Sequence, residues 1–433
     1  MTQLGRHSRA NQLAPRLLTR LLARASDLLT LIAFLLFEFV LPKRNQSWCF
    51  CTWDNSYPHT IDNPRGVFEA VKSDPSIQKI ILLKAHHFTQ QPQADGINVS
   101  WVNVESIAGA YLLARSRVII LGYGLNGLCS FGRHITRKHQ IVQLWHGIPL
   151  KRIGKLYPGE NFWDFETRKY AATICSAPQD QHYMAAAFSP TPNVWLTGLP
   201  RNDLILKPID QLPRDYQQHL ATLKNRVAGR KFILYAPTWR EKSSGIYEFS
   251  DSQLTALTAL LSRNNAVIGI RAHPNRRPGE DRPTTEFGKD IFFVNEFPDA
   301  NVLLRLADVL ISDYSSIYID FLLTTRPVLN FTYDLDTYVN ERGFLYELSD
   351  ALPDTPIVSF DELLTRLEAA LNHTQNGAQY AKSRALFHTH TGSSSAAVAA
   401  RIKEGLRSRP ARREPDHETA SQAHSRTADT FRR

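Results

Sequence analysis

The chain has 433 residues, of which 43% are hydrophobic and 21% charged, a composition typical of a globular protein with more than one domain. Its formal net charge of +10 indicates a polyanionic neighbour, and the sequence contains no nucleic-acid-binding module pattern. Four scattered cysteines without metal-ligand spacing argue against a disulfide framework or a zinc site, so we expect a reducing cytoplasm.

The N-terminal 44 residues combine basic and apolar segments. Residues 1–27 are rich in Arg and poor in acids, and residues 28–41 are almost wholly apolar apart from Glu38. The apolar run of about 14 residues is shorter than the ~20 that a spanning helix needs. We predict an interfacial helix within residues 1–44 that lies on the anionic, cytoplasmic face of the cell membrane. An ordinary buried N-terminal helix is the alternative.

From residue 47 onward, short apolar strands alternate with helical segments, which predicts parallel, doubly wound sheets. The first series of strands is predicted at 48–52, 79–84, 99–104, 117–121, 141–145, 172–176 and 194–197. Residues 207–230 are polar, basic and contain proline, so we place the connection between two domains there. The second series of strands is predicted at 231–235, 266–271, 291–294, 309–312 and 328–331.

His146 and Gly147 stand at the end of the strand predicted at 141–145. Doubly wound sheets bind ligands at the carboxyl ends of their strands, and a histidine has a pKa near neutrality that suits proton abstraction. We therefore predict a functional His146, with Gly147 allowing a ligand or another backbone to approach closely. The alternative is a histidine hydrogen-bonded within a turn.

Polar residues also follow the strands of the second series. They are Thr238 with Arg240, then His273, then Asp313 with Ser315 and Ser316. Such groups gathered on one edge of a sheet favour a phosphate site. A turn at 198–203 carries Arg201, which is either near an anion or a solvated loop arginine.

The elbow at 313–316 lies between a buried strand and a short apolar helix predicted at 317–323. Two interpretations apply to it. The elbow holds a phosphate at the helix N-terminus, or its Asp and Ser side chains cap the helix as they do in many proteins. The two are compatible if Asp313 caps the helix while the serines meet the phosphates.

Several of these segments form an ordered set: QLWHGIPLK at 143–151, GLPRND at 198–203, YAPTWR at 235–240, RAHP at 271–274 and SDYSS at 312–316, followed by Asp320. YD at 333–334 and RGF at 342–344 continue the order. Together they resemble the CDP-glycerol glycerophosphotransferase family, which includes teichoic acid primases and polymerases and related capsule polymer enzymes. The resemblance covers roughly residues 47–400.

The resemblance implies an α/β, GT-B-like architecture of two Rossmann-like domains that face a cleft, here preceded by the membrane-associated helix. The predicted organisation is an interfacial helix at 1–44, an acceptor domain at 45–206, a connection at 207–230, a CDP-donor-binding domain at 231–406 and a disordered basic tail at 407–433. The lack of large apolar residues in the last segment predicts its disorder.

By the same resemblance, His146 is the general base on the acceptor hydroxyl and His273 stabilises the diphosphate. The residues expected to hold the donor phosphates are Arg201, Thr238, Arg240, Ser315 and Ser316. The residues expected to support them are Asp313, Asp320 and Gly147. A base and a ring of hydrogen-bond donors are what phosphoryl transfer requires, because a hydroxyl loses a proton while charge spreads over phosphoryl oxygens.

The implied reaction transfers glycerol phosphate, or a related alditol phosphate, from CDP-glycerol to a hydroxyl of a lipid-linked or polymeric cell-surface glycan and releases CMP. We expect no required cofactor, because no carboxylate cluster with metal-ligand spacing is evident; dependence on a divalent metal and the oligomeric state stay open. The expected partners are a CDP-alditol, the acceptor and an anionic membrane surface, without nucleic acid. The alternatives are a GT-B glycosyltransferase using another nucleotide sugar and a non-catalytic, membrane-bound polyanion-binding protein.

Overall fold

The computed structural model describes residues 24–51, 62–84, 95–157, 163–238, 240, 246–272, 287–372 and 377–408. Within these ranges the strands form a seven-stranded and a five-stranded sheet, and every strand pairing is parallel. The prediction of an α/β protein with parallel sheets is confirmed. The predicted tail at 407–433 lies almost entirely outside the described residues.

The seven-stranded sheet, which defines the first domain, has the order β3-β2-β1-β4-β5-β6-β7. Its strands are β1 (Arg44–Cys51), β2 (Gln78–Leu83), β3 (Val99–Asn103), β4 (Ser116–Leu121), β5 (Gln140–Gln143), β6 (Tyr170–Cys175) and β7 (Val194–Leu196). Burial on both faces accounts for their continuous apolar runs, as in β4, where Val118 to Leu121 are all buried.

Helices cover this sheet and extend from it. They are α1 (24–40), α2 (Asp62–Val71), α3 (Ile107–Arg115), α4 (Leu125–Leu128), α5 (Trp163–Thr167), α6 (Pro178–Ala187), α7 (Pro200–Leu206) and α8 (Arg214–Val227). Short 3-10 helices lie at Gly132–His134, Gly154–Leu156 and Ile209–Gln211. The predicted turn carrying Arg201 is therefore wrong: Pro200 starts α7, as proline can in the first turn of a helix.

The five-stranded sheet, which defines the second domain, has the order β10-β9-β8-β11-β12. Its strands are β8 (Lys231–Ala236), β9 (Ala266–Ile270), β10 (Ile291–Phe293), β11 (Val309–Ser312) and β12 (Val328–Asn330). The strand order reverses between β8 and β11, which is the point where such sheets bind ligands.

The helices that follow β8 in the chain are α9 (Asp251–Arg263), α10 (Ala300–Leu306), α11 (Ile317–Phe321), α12 (Leu335–Arg342), α13 (Leu348–Ala351), α14 (Phe360–Asn372), α15 (Ala378–Phe387) and α16 (Ser394–Arg407), with a 3-10 helix at Leu322–Thr324. The polar segment 333–344 contains α12. Its sequence lacks a strong apolar periodicity, which is the signal that identifies a helix.

Helices at the seam between the domains differ from the predicted boundaries. The predicted connection at 207–230 contains α8, which packs on α10 of the second domain. Helix α16, predicted to belong to the second domain, packs on α2 and α7 of the first. Asp203 fixes it there, because its carboxylate accepts hydrogen bonds from the backbone N–H groups of Ser394 and Ser395 at 3.0 and 2.9 Å.

Helix α1 is attached to the first domain along one face. Phe34 is fully buried and Thr30 and Glu38 are nearly so, one helical turn apart in each direction. Burial opposes ionisation of Glu38, but hydrogen bonds from His139, Lys43 and Thr136 lower its pKa to about 2. Among the described residues, no helix is both long and apolar enough to cross a bilayer.

Candidate active site

The residues predicted to act together follow the ends of β5, β8 and β11. His146 and Gly147 follow β5 in the first domain, and the elbow at 313–316 follows β11 in the second. Gly147 touches the elbow: a Cβ built on it would lie 2.6 Å from Ser316 Oγ and 2.9 Å from an Arg201 guanidinium nitrogen. Gly147 also has a φ of 148°, so glycine is required here for two reasons.

His146 is half-buried against two aromatic rings. Its ring centroid lies 4.1 Å from that of Trp145 and 5.2 Å from that of Tyr123. The Nδ1 atom lies 3.4 Å from the backbone carbonyl of Gly122. With Nδ1–H donating to this carbonyl, the Nε2 atom carries the basic lone pair.

Asn63, a buried residue at the start of α2, supports this strand end. Its Nδ2 donates to the carbonyls of Leu144 and Trp145 at 3.1 and 3.0 Å, and its Oδ1 accepts from the Arg201 N–H at 3.1 Å. Sequence reasoning missed this role, because the partners are more than 80 residues away in the chain.

Arg201, in the first turn of α7, connects the two domains. One Nη donates to the carbonyl of His146 at 2.6 Å and lies 3.3 Å from the Asp62 carboxylate. The other Nη contacts Asp320 of α11. Burial lowers the pKa of Arg201, but the carboxylates of Asp320 and Asp62 outweigh burial and keep the guanidinium charged.

Burial opposes ionisation of both carboxylates that hold Arg201. Burial raises the pKa of Asp320 to about 6, even though Arg201 lowers it. Burial also raises the pKa of Asp62. The three charged groups form a buried network in which the arginine compensates two carboxylates, one from each domain.

Asp313 connects the ends of β8 and β11. Both of its oxygens accept from the Thr238 N–H at 2.9 and 3.0 Å, and Oδ1 accepts from the Thr238 hydroxyl at 2.5 Å. The interpretation that Asp313 caps α11 is therefore wrong: the N-cap position of α11 is Ser316, without a side-chain capping bond. The Asp313 carboxylate instead accepts hydrogen bonds from Thr238, which follows the neighbouring strand β8.

Arg240 is fixed within the second domain. Its Nη2 donates to Asp313 at 2.9 Å, and its Nε donates to Asp334 at 2.9 Å. The guanidinium carbon also lies 5.3 and 4.9 Å from the ring centroids of Tyr314 and Tyr338. Burial lowers the pKa of Arg240, but Asp334 and Asp313 raise this pKa by more than burial lowers it, so the guanidinium stays charged.

The two serines of the elbow make fewer hydrogen bonds within the protein than Asp313 does. Both are partly exposed, and the Ser315 hydroxyl accepts from the Ile317 N–H at a long 3.4 Å. The elbow thus presents hydroxyls beside Gly147 while its backbone is held by Asp313 and Asn330, whose amide donates to the Asp313 carbonyl at 3.1 Å.

His273 lies outside the described residues, so its predicted role stays a prediction. The structure brings His146, Gly147, Arg201, Ser316 and Asp320 together at the seam and groups Thr238, Arg240 and Asp313 at the switch point. Within the described residues, no group of three or more His, Cys, Asp or Glu side chains is arranged to hold a metal ion. Metal dependence also stays a prediction.

The fold and the site define a two-domain α/β protein of GT-B-like architecture, in which the segment carrying His146 and Gly147 contacts a serine-containing elbow. A family model described as CDP-Glycerol:Poly(glycerophosphate) glycerophosphotransferase matches residues 33–404. The chain belongs to this family, and the family predicted from the motif order is confirmed.

Curated relatives differ in how much of their length is matched. The teichoic acid ribitol-phosphate polymerase TarL of Staphylococcus aureus is 29% identical over 245 residues, 54% of this chain and 42% of that protein. The teichoic acid glycerol-phosphate transferase of the same organism is 28% identical over 352 residues, 76% of this chain and 84% of that protein. The chain thus spans less than half the length of TarL but most of the length of the transferase.

Among solved structures, the wall teichoic acid polymerase TagF has a similar fold. Its TM-score is 0.69 at 19% sequence identity, and the superposition covers 91% of this chain and 97% of that chain. At this identity the likeness supports the two-domain architecture and leaves residue roles to the geometry of the site.

Proposed function

We propose that the protein transfers glycerol phosphate, or a related alditol phosphate, from CDP-glycerol to a hydroxyl of a lipid-linked or polymeric glycan acceptor and releases CMP. The observation that carries the proposal is the contact of Gly147 with Ser316. It brings the base candidate of one domain beside the hydroxyl-bearing elbow of the other. Membership of the glycerophosphotransferase family supports the same reaction.

In the proposed reaction, the acceptor oxygen forms a bond to the phosphorus that carries the glycerol. The bond from that phosphorus to the bridging oxygen of the diphosphate breaks, and CMP leaves. The acceptor proton passes to Nε2 of His146, whose tautomer is favoured by the Gly122 carbonyl on Nδ1. Ser315 and Ser316 donate to the donor phosphates, where charge develops in the transition state.

Arg201 and Arg240 contribute positive charge at the edges of this site. Because carboxylates already hold both guanidinium groups, we propose that they position the elbow and supply a favourable field, with phosphate contacts made by the remaining donor capacity. Asp313 orients Thr238 and Arg240 on the same side. His273 stays the proposed diphosphate ligand.

A donor panel tests the reaction. Purified protein is incubated with a lipid-linked or oligomeric acceptor and with CDP-glycerol, CDP-ribitol, or UDP- and GDP-sugars, while the nucleotide product and the extended acceptor are measured. CMP release with acceptor extension is the expected result for CDP-glycerol or CDP-ribitol. Preference for a UDP- or GDP-sugar would favour the glycosyltransferase alternative, and binding without turnover would favour the non-catalytic one.

Variants of His146 test the mechanism. We expect His146→Ala to lower turnover at least about 100-fold, the scale of general-base catalysis, with little change in stability. His146→Asn is the matched variant, because it keeps a polar side chain able to reach the Gly122 carbonyl without a basic nitrogen. Normal turnover in both variants would contradict the assignment of the base, and normal turnover in His273→Ala would contradict the second assignment.

We also propose that α1 holds the enzyme at an anionic membrane surface. The face opposite Phe34 exposes Leu29, Leu36 and Phe39, the last with 83% of its surface accessible. The exposed Lys138 lies beside this face, with its ammonium 5.8 Å from the Phe39 ring centroid. Apolar side chains flanked by basic ones suit the boundary between acyl chains and anionic headgroups.

Three exposed positions allow this surface to be tested without undocking the helix. In the variant Leu29→Asp, Leu36→Asp, Phe39→Asp, the docked side chains Thr30, Phe34 and Glu38 are kept. We expect the wild type to sediment with anionic liposomes and the variant to stay in the supernatant with an unchanged denaturation midpoint. Equal sedimentation of both proteins would rule out the interfacial role of α1.

A further inference from the structure

A groove lies between the two domains, next to the candidate site. It has a volume of about 730 Å³. The first domain lines it with Arg152 and Tyr157, and the second domain lines it with residues between 339 and 349. We call it the seam groove.

The seam groove shares its wall with the candidate site. The Leu345 N–H donates to the carbonyl of Leu150 at 2.9 Å, and Lys151 pairs with Phe344 in an antiparallel bridge. This pairing starts four residues after His146 in the chain. The ring centroid of Phe344 lies 5.6 Å from that of Tyr314, which precedes Ser315 in the elbow segment. The groove therefore begins where the histidine segment meets the elbow segment.

The lining of the groove is mixed in chemistry and basic at one rim. Arg152 is exposed, and a Cβ at Gly343 would lie 3.2 Å from its Nε, so the glycine lets the guanidinium lie close to the groove wall. Within the described part of the chain, no carboxylate lies at ion-pair distance from Arg152. Lys151 and Lys155 add positive charge to the same segment, and Glu347 is the carboxylate among those lining residues that the structure describes.

We infer that the seam groove is a subsite for the part of an anionic polyol-phosphate acceptor that extends beyond the reacting hydroxyl. The inference rests on the proposed function. Arg152 binds a phosphodiester group of the chain, since a guanidinium matches phosphate oxygens with two parallel donors. The rings of Tyr157 and Phe344 contact the carbon backbone, and Asn340 and Ser349 provide polar partners for hydroxyls.

Distance is compatible with this assignment. Arg152 is six positions after His146 in the chain, and a fully extended chain of six residues spans at most roughly 20 Å. A polymeric acceptor whose terminal hydroxyl is at His146 therefore reaches Arg152 with a phosphate only a few units inward. In the proposed subsite Arg152 contacts an inner phosphate, which a one-unit acceptor lacks, so the groove distinguishes long acceptors from short ones.

Kinetics with two acceptors tests the subsite. The probes are a one-unit and a multi-unit oligo(glycerol phosphate), each with saturating CDP-glycerol. We expect Arg152→Ala to raise KM for the multi-unit acceptor about 5- to 20-fold, the loss of one charge-assisted contact, and to leave KM for CDP-glycerol and for the one-unit acceptor unchanged. Glu347→Gln removes a repelling charge and should lower KM for the multi-unit acceptor.

The matched control is Arg263→Ala, an exposed arginine on α9 that pairs with Glu368 away from the seam. It should leave all three KM values unchanged. Equal effects of Arg152→Ala on short and long acceptors, or no effect on either, would overturn the subsite while leaving the transfer reaction intact.

A binding measurement separates the two proposals if transfer itself fails. Titrating the multi-unit oligomer onto wild-type and Arg152→Ala protein without donor should give weaker binding to the variant, with the difference shrinking as salt increases. Absence of CMP release in the wild type would overturn the proposed function. Equal oligomer affinity of wild type and variant would overturn the subsite.

Discussion

Arg201 and Arg240 are both largely buried arginines of the candidate site, and each is held by two carboxylates. Arg201 has partners on both domains, Asp62 on one and Asp320 on the other. Arg240 has both partners, Asp313 and Asp334, in the second domain. Ion pairs with two carboxylates therefore join the two domains at Arg201, whereas at Arg240 they hold residues within the second domain.

The difference decides what each arginine can do when substrate binds. Separating the domains would break the contacts of Arg201, so its charge is coupled to how closely the two halves of the site approach. Arg240 would keep its partners in either arrangement. In the proposed reaction, a phosphate that enters the seam would compete with Asp320 for Arg201, whereas at the switch point it would meet a guanidinium whose orientation is already fixed.

Replacing Arg201 should have the largest effect. Arg201→Ala leaves Asp62 and Asp320 buried without their positive partner, and removing one member of a buried ion pair costs about 3 to 5 kcal/mol. Chemical denaturation should report this loss, and turnover should fall with it because the His146 carbonyl also loses a donor. A double variant, Arg201→Ala with Asp320→Asn, should recover part of the stability. No recovery would contradict the pairing.

Replacing Arg240 should cost less. Arg240→Ala also removes a partner from two carboxylates, but Asp313 keeps three hydrogen bonds from Thr238, and Asp334 is less buried. We expect about 2 to 3 kcal/mol, below the value for Arg201→Ala. Arg240→Lys should not restore the wild type, because an ammonium cannot make the planar contacts to both carboxylates. A larger loss than for Arg201→Ala would reverse the comparison.

The sequence was sufficient to predict the strands that precede the two arginines in the chain, β7 and β8. Runs such as residues 231–235 and 309–312 are apolar and short, and strand-end polar residues identify the edge where a parallel sheet binds ligands. The ordered motifs were sufficient for the family. These features are local in sequence, which is why they can be read without knowledge of the packing.

The partners of these residues could not be predicted in the same way. Asp313 looks like a helix cap because caps are local, yet its acceptors are used by Thr238, 75 residues away. Arg201 looks like a loop arginine, yet it lies 119 residues from Asp320 in the chain and is buried with it. Such pairings depend on how distant segments of the chain pack together. Motif spacing and composition do not predict this packing.

The pH dependence of stability sharpens the comparison further. In the folded protein burial raises the pKa of Asp320 to about 6, above the ~3.9 of an unfolded aspartate, so the stabilising contribution of its protonated form is complete below about pH 4 and is lost as pH rises through about 6. Arg201→Ala removes a group that lowers this pKa.

The Arg201→Ala variant should therefore be less destabilised at about pH 5 than at about pH 7.5. Denaturation curves of both proteins at the two pH values measure the difference. Adding Asp320→Asn should remove most of it. An equal loss at both pH values would show that Asp320 is not the group responsible.

The smallest expected effect concerns the hydroxyl of Thr238. Thr238→Val keeps the shape of the side chain and both backbone N–H contacts to Asp313 but removes the hydroxyl hydrogen bond at 2.5 Å. We expect a loss of about 1 to 2 kcal/mol, the range for one bond to a charged group, with Thr238→Ser close to the wild type. If Thr238 also donates to the donor phosphates, Thr238→Val raises KM for CDP-glycerol while Thr238→Ser does not. A stability loss with an unchanged KM would show that the hydroxyl bonds to Asp313 alone. Thr238 would then position Asp313, as Arg240 does, and would not bind a phosphate.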